Sequence, residues 1–155
     1  MIRVIIIFIV FISIFALSNC GFKPIYKLSD HNPNISDYTI EFKNEPPYKI
    51  QNKIGAIFNN QTSESLYKIY LEVKQSNFPL VINTNGTISK YRIEILLNFA
   101  VHQNDFDKKI YDNIVRGFGE YLVQNSEIET DKKLTQAIET ATQEAVQIML
   151  TKIQS

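Results

Sequence analysis

An α+β two-layer sandwich is the fold class this sequence predicts: a four-stranded mixed or antiparallel sheet with two helices packed on one face, in the order β-α-β-β-β-α. Three observations predict it. Tyr91, Ile93, Ile95, Leu97, Phe99 and Val101 are apolar at every second position, the period of a strand with one buried face. Asn85-Gly86 lies between two apolar-bearing stretches and signals a tight turn. Beyond Ser126 the period changes, and Leu134, Ala137, Ile138, Ala141, Ala145, Ile148 and Met149 recur as one stripe of a helix.

The elements follow in chain order. Residues 22–37 contain Pro24 and Pro33 among Ser, Asp and Asn, the composition of a tether. Tyr38 to Lys43 alternates, with Tyr38, Ile40 and Phe42 on one face, and Glu45-Pro46-Pro47 ends that strand. Ile50, Ile54, Ile57 and Phe58 have helical spacing, which predicts a helix over 48–60 with Gly55 as a weak point. A second strand is expected over 66–74, with Tyr67, Ile69, Leu71 and Val73 inward, and Phe78-Pro79 interrupting the pattern. The longest strand runs from Ile88 to His102, and Asn104-Asp105-Phe106-Asp107 closes a hairpin onto a last strand over 110–121. There Gly117 and Gly119 predict a bulge or bend. Ser126 and Glu129 have capping-box spacing for the terminal helix, whose alanine stripe suits close packing on a sheet and which is expected to reach Ile153.

Charge excludes one class of partner. Lys+Arg and Asp+Glu both number 16, and residues 1–19 contribute only Arg3, leaving 15 against 16. A balanced chain has no broad electrostatic attraction for nucleic acid, so none is expected as a partner. The 155 residues suffice for one domain with its own core. Cys20 is the only cysteine, so no intramolecular disulfide forms and the thiol is available for other chemistry.

That chemistry is indicated by what precedes it. Met1-Ile2-Arg3 is a short positive start, and Val4 to Leu17 is an apolar run broken only by Ser13. Its length is that of a signal-peptide core and falls short of the roughly 20 residues that span a bilayer. Leu17-Ser18-Asn19-Cys20 resembles a bacterial lipoprotein attachment site, in which the thiol is acylated before a peptidase cuts ahead of it. Asn19 departs from the small residue usual at that place, and slower processing is expected. The organisation is therefore a signal peptide over 1–19, a lipid-anchored tether over 20–37 and a single domain over 38–155. Two or more acyl chains make a stable anchor, while one holds marginally. Gly21, rather than Asp, resembles a lipoprotein sorted to the outer membrane. The blander alternatives are a retained signal anchor and an incidental thiol.

Three stretches together resemble the LptE family of lipopolysaccharide-assembly lipoproteins. Cys20-Gly21-Phe22-Lys23-Pro24-Ile25-Tyr26 is similar to the family's opening after the anchor. Thr84-Asn85-Gly86-Thr87-Ile88-Ser89-Lys90-Tyr91-Arg92-Ile93 is similar to its entry into the long strand, and the alanine-rich helix after an acidic cap matches in place. The resemblance implies a two-layer sandwich seated in an LptD-type outer-membrane β-barrel, contact with lipopolysaccharide, and residence at the cell outer membrane on the periplasmic side. It also implies an exposed basic patch for the lipid's phosphates. Lys90 and Arg92 share one strand face, and Arg116 is expected near them; the plainer account is a solvated face with ion pairing to Glu94. An envelope lipoprotein with a different partner or ligand is the alternative function.

Catalytic chemistry has little support. There is no Gly-rich phosphate loop and no nucleophile elbow. Neither catalysis nor a metal or cofactor is expected, beyond the covalent lipid on Cys20. His102 with Asp105 and Asp107 forms the one conceivable metal or acid/base cluster, although such residues are common at hairpin ends. Three glycosylation sequons, at Asn34, Asn60 and Asn85, read as coincidence in an Asn-rich chain. Tyr67, Tyr70, Tyr91 and Phe99 sit at strand spacing and read as packing residues.

Overall fold

A computed structural model describes residues 35–58, 65–104 and 108–155, all within one compact unit. The expectations for the leader, for Cys20 and for most of the tether lie outside the described residues. A single 3-10 turn, Ile35–Asp37, leads into β1 (Tyr38–Phe42), α1 (Tyr48–Ile57), β2 (Tyr67–Ile82), β3 (Ile88–Gln103), β4 (Lys108–Leu122) and α2 (Glu127–Gln154). The β-α-β-β-β-α order is the predicted one.

The sheet order is β1-β2-β3-β4. β1 lies parallel to β2, with Tyr38 opposite Tyr67, and the other two pairings are antiparallel. The mixture has a simple cause. α1 is the crossover that a parallel neighbour requires, whereas short turns join the remaining strands. Asn83 and Thr87 close the β2–β3 turn, with the Asn83 N–H donating to the Thr87 carbonyl at 2.7 Å, and Gly86 takes φ 83° there. That conformation favours glycine because a Cβ would crowd the carbonyl.

The alternating faces sort as predicted. Ile69, Leu71 and Val73 of β2, and Ile93, Ile95, Leu97, Phe99 and Val101 of β3, are buried. They meet Ile50, Ile54 and Phe58 from the first helix region and Ala137, Ile138, Ala141, Ala145, Val146 and Met149 of α2 in one cluster. Both helices therefore cover the same face, and among the described elements none covers the other, open face.

Four local expectations are corrected. β2 does not stop at Lys74 but runs on through Phe78-Pro79 to Ile82. Pro79 is tolerated because of where its missing N–H would point. The Leu71 carbonyl and the Val73 N–H bond toward β1, so every second residue from there turns its backbone to the same edge. At Pro79 that edge has no partner strand among the described residues. Gly117 and Gly119 produce no bulge; the β3–β4 register breaks only between Val101 and His102. Their role is steric: a Cβ on Gly117 would lie 2.0 Å from the Ala141 carbonyl oxygen, and one on Gly119 2.0 Å from that of Ala137. The α2 backbone rests directly on β4, glycine against alanine. Ser126 occupies the N-cap position, but no side-chain cap bond forms. Thr130 does the local work instead, accepting the Gln124 N–H at 2.9 Å and donating to the Ser126 carbonyl at 3.0 Å. Finally, α1 ends at Ile57 rather than Asn60, with Phe58 as its C-cap.

Candidate functional site

The open face carries the even-numbered residues of β3, β4 and β2 as far as Phe78, because strand side chains alternate and the odd ones face the helices; beyond Pro79 the β2 register shifts, and Val81 lies opposite Lys90. Lys90, Arg92 and Arg116 all lie there, so the structure brings the three predicted residues onto one surface. Each meets a carboxylate. Arg92 donates to Glu120 Oε1 from Nη2 at 2.7 Å and from Nε at 3.1 Å, and Lys90 Nζ bonds the other oxygen of the same carboxylate. Arg116 Nε stands 3.7 Å from Glu94 Oε1. The Arg92 guanidinium also lies 5.7 Å from the centre of the Phe118 ring.

Three cations thus face two carboxylates. The hydrogen bond from Lys90, then that from Arg92, holds the Glu120 carboxyl below the usual carboxylate range, with burial acting in the opposite sense. The face can accept an anion, provided that the anion competes with Glu120 for both donors. A shallow depression of about 340 Å³ beside Lys90 and Glu120 is completed by Tyr121, Leu122, Gln124 and Lys133.

Glu120 and Lys133 were missed by sequence reasoning. The only sequence signal pointed to the neighbouring residue: a turn centred on 104–107 pairs residues whose numbers sum to 211, as in His102 with Lys109, and so sets Gly119 opposite Arg92. The break after Val101 then moves the sum to 212, which puts Glu120 rather than Gly119 opposite Arg92. One irregular residue decides which side chain faces the arginine. Lys133 comes from α2 and had no sequence signal.

Elsewhere the open face is mixed: Ile110, Ile114, Phe118 and Leu122 of β4 are exposed apolar residues on it, beside Tyr70 and His102. The His102 ring meets Tyr70 edge-on, with centroids 4.8 Å apart. Asp105 and Asp107, its supposed companions, lie outside the described residues. Among the described residues no three His, Cys, Asp or Glu side chains gather as metal ligands. Phe99 is buried, Tyr67 and Tyr91 pack against the core, and Tyr91 stacks on Tyr121 at 5.3 Å.

Comparison of the fold with solved structures returns bacterial lipoproteins. A candidate lipoprotein from Caulobacter crescentus CB15 aligns with TM-score 0.63 at 14% identity, covering 77% of this chain and 89% of its own. A minor lipoprotein from Acinetobacter baumannii aligns with TM-score 0.52 at 10% identity over 76% of this chain and 89% of that one. Rare lipoprotein B from Shewanella oneidensis aligns with TM-score 0.50 at 12% identity over 75% and 95%. The fold is one that bacterial lipoproteins use. No family model matches the chain, and no curated protein matches it in sequence.

Proposed function

We propose that this protein is an outer-membrane lipoprotein, acylated at Cys20, that serves as the plug and assembly partner of an LptD-type β-barrel in lipopolysaccharide transport. The observation that carries the reading is a conjunction. A fold shared with bacterial lipoproteins, rare lipoprotein B among them, occurs in a chain whose single cysteine follows an apolar leader. The stretch from Cys20 to Tyr26 adds the family resemblance. The domain offers an interaction surface in this reading, and the reading assigns it no catalytic step. The open face, with Lys90, Arg92 and Arg116, is the surface proposed to meet lipopolysaccharide phosphates.

Gentle detergent extraction should bring down a large β-barrel protein in roughly equimolar amount; recovery of the lipoprotein alone would refute the partnership. Mass spectrometry of the mature N-terminus tests the anchor, and an unmodified chain beginning at Met1 would exclude it. A second reading, an envelope lipoprotein with another partner, is favoured by one observation. Lys90, Arg92 and Arg116 are already ion-paired, as a solvated sheet face requires. Charge reversal of Lys90 and Arg92 separates the two, since unchanged lipopolysaccharide binding would remove the basic patch from the account.

A further inference from the structure

Asn85-Gly86 is the one asparagine–glycine step in the sequence. An asparagine carboxamide is open to attack by the backbone nitrogen of the residue after it. Glycine obstructs that attack least, because it carries no Cβ. Residues Asn83 to Thr87 form the tip of the β2–β3 hairpin and are all exposed, so water reaches the step.

The tip holds both reacting groups. A backbone N–H only donates, so the Asn85 atom that meets the Thr87 N–H at 3.0 Å is Oδ1, and this fixes the orientation of the carboxamide. The Thr87 hydroxyl donates to the same oxygen at 2.7 Å and accepts from Asn83 Nδ2 at 2.9 Å. On the other side, the Gly86 N–H donates to the Asn83 carbonyl at 2.9 Å, which fixes the peptide plane between Asn85 and Gly86. The nitrogen is tied toward Asn83 and the carboxamide toward Thr87. Bonds to Oδ1 also draw electrons from Cγ, which favours attack, but an attacking atom held out of line loses more than polarisation gains.

We propose that Asn85-Gly86 is a modification site, open to deamidation when the tip unfastens, and that Thr87 is the residue that keeps it closed in the folded domain. The Gly86 nitrogen loses its proton to solvent base and attacks Cγ of Asn85. The Cγ–Nδ2 bond breaks, Nδ2 takes up a proton and ammonia leaves a cyclic imide. Water then adds at either carbonyl of the imide and opens it, giving an aspartate or its β-linked isomer. Both products change the hairpin. Each puts a carboxylate into the stretch from Gln75 to Ser89, which has no charge. The isomer also adds a methylene to the backbone of the turn that joins the two 16-residue strands.

The test holds the full chain in mildly alkaline buffer, and peptide mass spectrometry follows the change of amide to acid at Asn85. An isoaspartyl methyltransferase, which methylates the β-linked product, reports the imide route. Four samples are compared: the folded parent, the parent unfolded in urea, Thr87→Val and Thr87→Ser. The urea-unfolded chain should react at least about ten-fold faster than the folded parent, since several hydrogen bonds hold the groups apart. Folded Thr87→Val should react about five-fold faster than the parent, with hydrogen exchange at Ile95 and Phe99 unchanged. Thr87→Ser keeps the hydroxyl and should match the parent. Equal rates in the folded and unfolded parent overturn the proposal, as does a Thr87→Val variant no faster than the parent. So does a Thr87→Ser variant as fast as Thr87→Val, or acid formed without the β-linked product.

Discussion

Two glycines behave oppositely: the sequence marks Gly55 as a weak point in a helix and Gly117 as a bulge or bend in a strand. Gly117 has the α2 backbone on top of it, whereas a Cβ on Gly55 would meet nothing within 4 Å. Gly117→Ala is therefore expected to cost about 2–3 kcal/mol through forced separation of α2 from β4. Gly55→Ala should add about 0.5–1 kcal/mol by lowering the entropy of the unfolded chain. Denaturant titration of the two variants checks both signs. Tyr38 sets a pH limit. Burial first, then Tyr67 and Asp37, pushes its phenol from 10.0 up to about 12. The unfolded chain ionises before the folded one, so the contribution is whole below pH 10 and declines as pH rises from 10 toward 12. In unfolding measurements across that window, Tyr38→Phe should show a shallower alkaline loss than the parent.

β1 is too short to cover its neighbour, and a side chain finishes the job. Beyond Phe42, the Lys43 N–H still donates to the Leu71 carbonyl at 2.9 Å. Asn44 then imitates one more residue of strand, accepting the Val73 N–H at 3.0 Å and donating to its carbonyl at 2.7 Å. Asn44→Ala leaves both backbone groups unpaired and should cost about 1–2 kcal/mol. Hydrogen exchange should then accelerate more at the Val73 amide than at Ile95 and Phe99 in the centre of the sheet. The β4 edge is protected by another device. Glu144 of α2 accepts the Phe118 N–H at 2.6 Å, and Asn113 Oδ1 accepts that of Ile114 at 2.8 Å. A helix seated over an edge strand, with side chains occupying its donors, opposes sheet-to-sheet association.

One layer of helices and one open sheet face define the described domain, and each of the three cations on that face meets a carboxylate. Glu120 holds two of the three cations proposed to meet lipopolysaccharide. Glu120→Gln should raise binding of lipopolysaccharide to the purified lipoprotein and leave the melting temperature nearly unchanged, since exposed ion pairs contribute little to stability. Lys90→Glu with Arg92→Glu should abolish it. A titration in which Glu120→Gln binds no better than the parent would remove Glu120 as a competitor for the site.

Periodicity carried most of the fold into the sequence. Alternation from Tyr91 to Val101, the Asn85-Gly86 turn and the alanine stripe each depend on residues close in the chain, and these local patterns determine element type, element order and which face is buried. Long-range geometry decided the rest. Gly117 and Gly119 acquire their role only from the backbone of Ala137 and Ala141 lying over them. Pro79 is harmless only because β1 has ended before it. The partner of Arg92 is Glu120 because one break in register, after Val101, shifts every later pairing by a residue. Contacts between residues far apart in sequence depend on register and layer spacing, which no local pattern encodes.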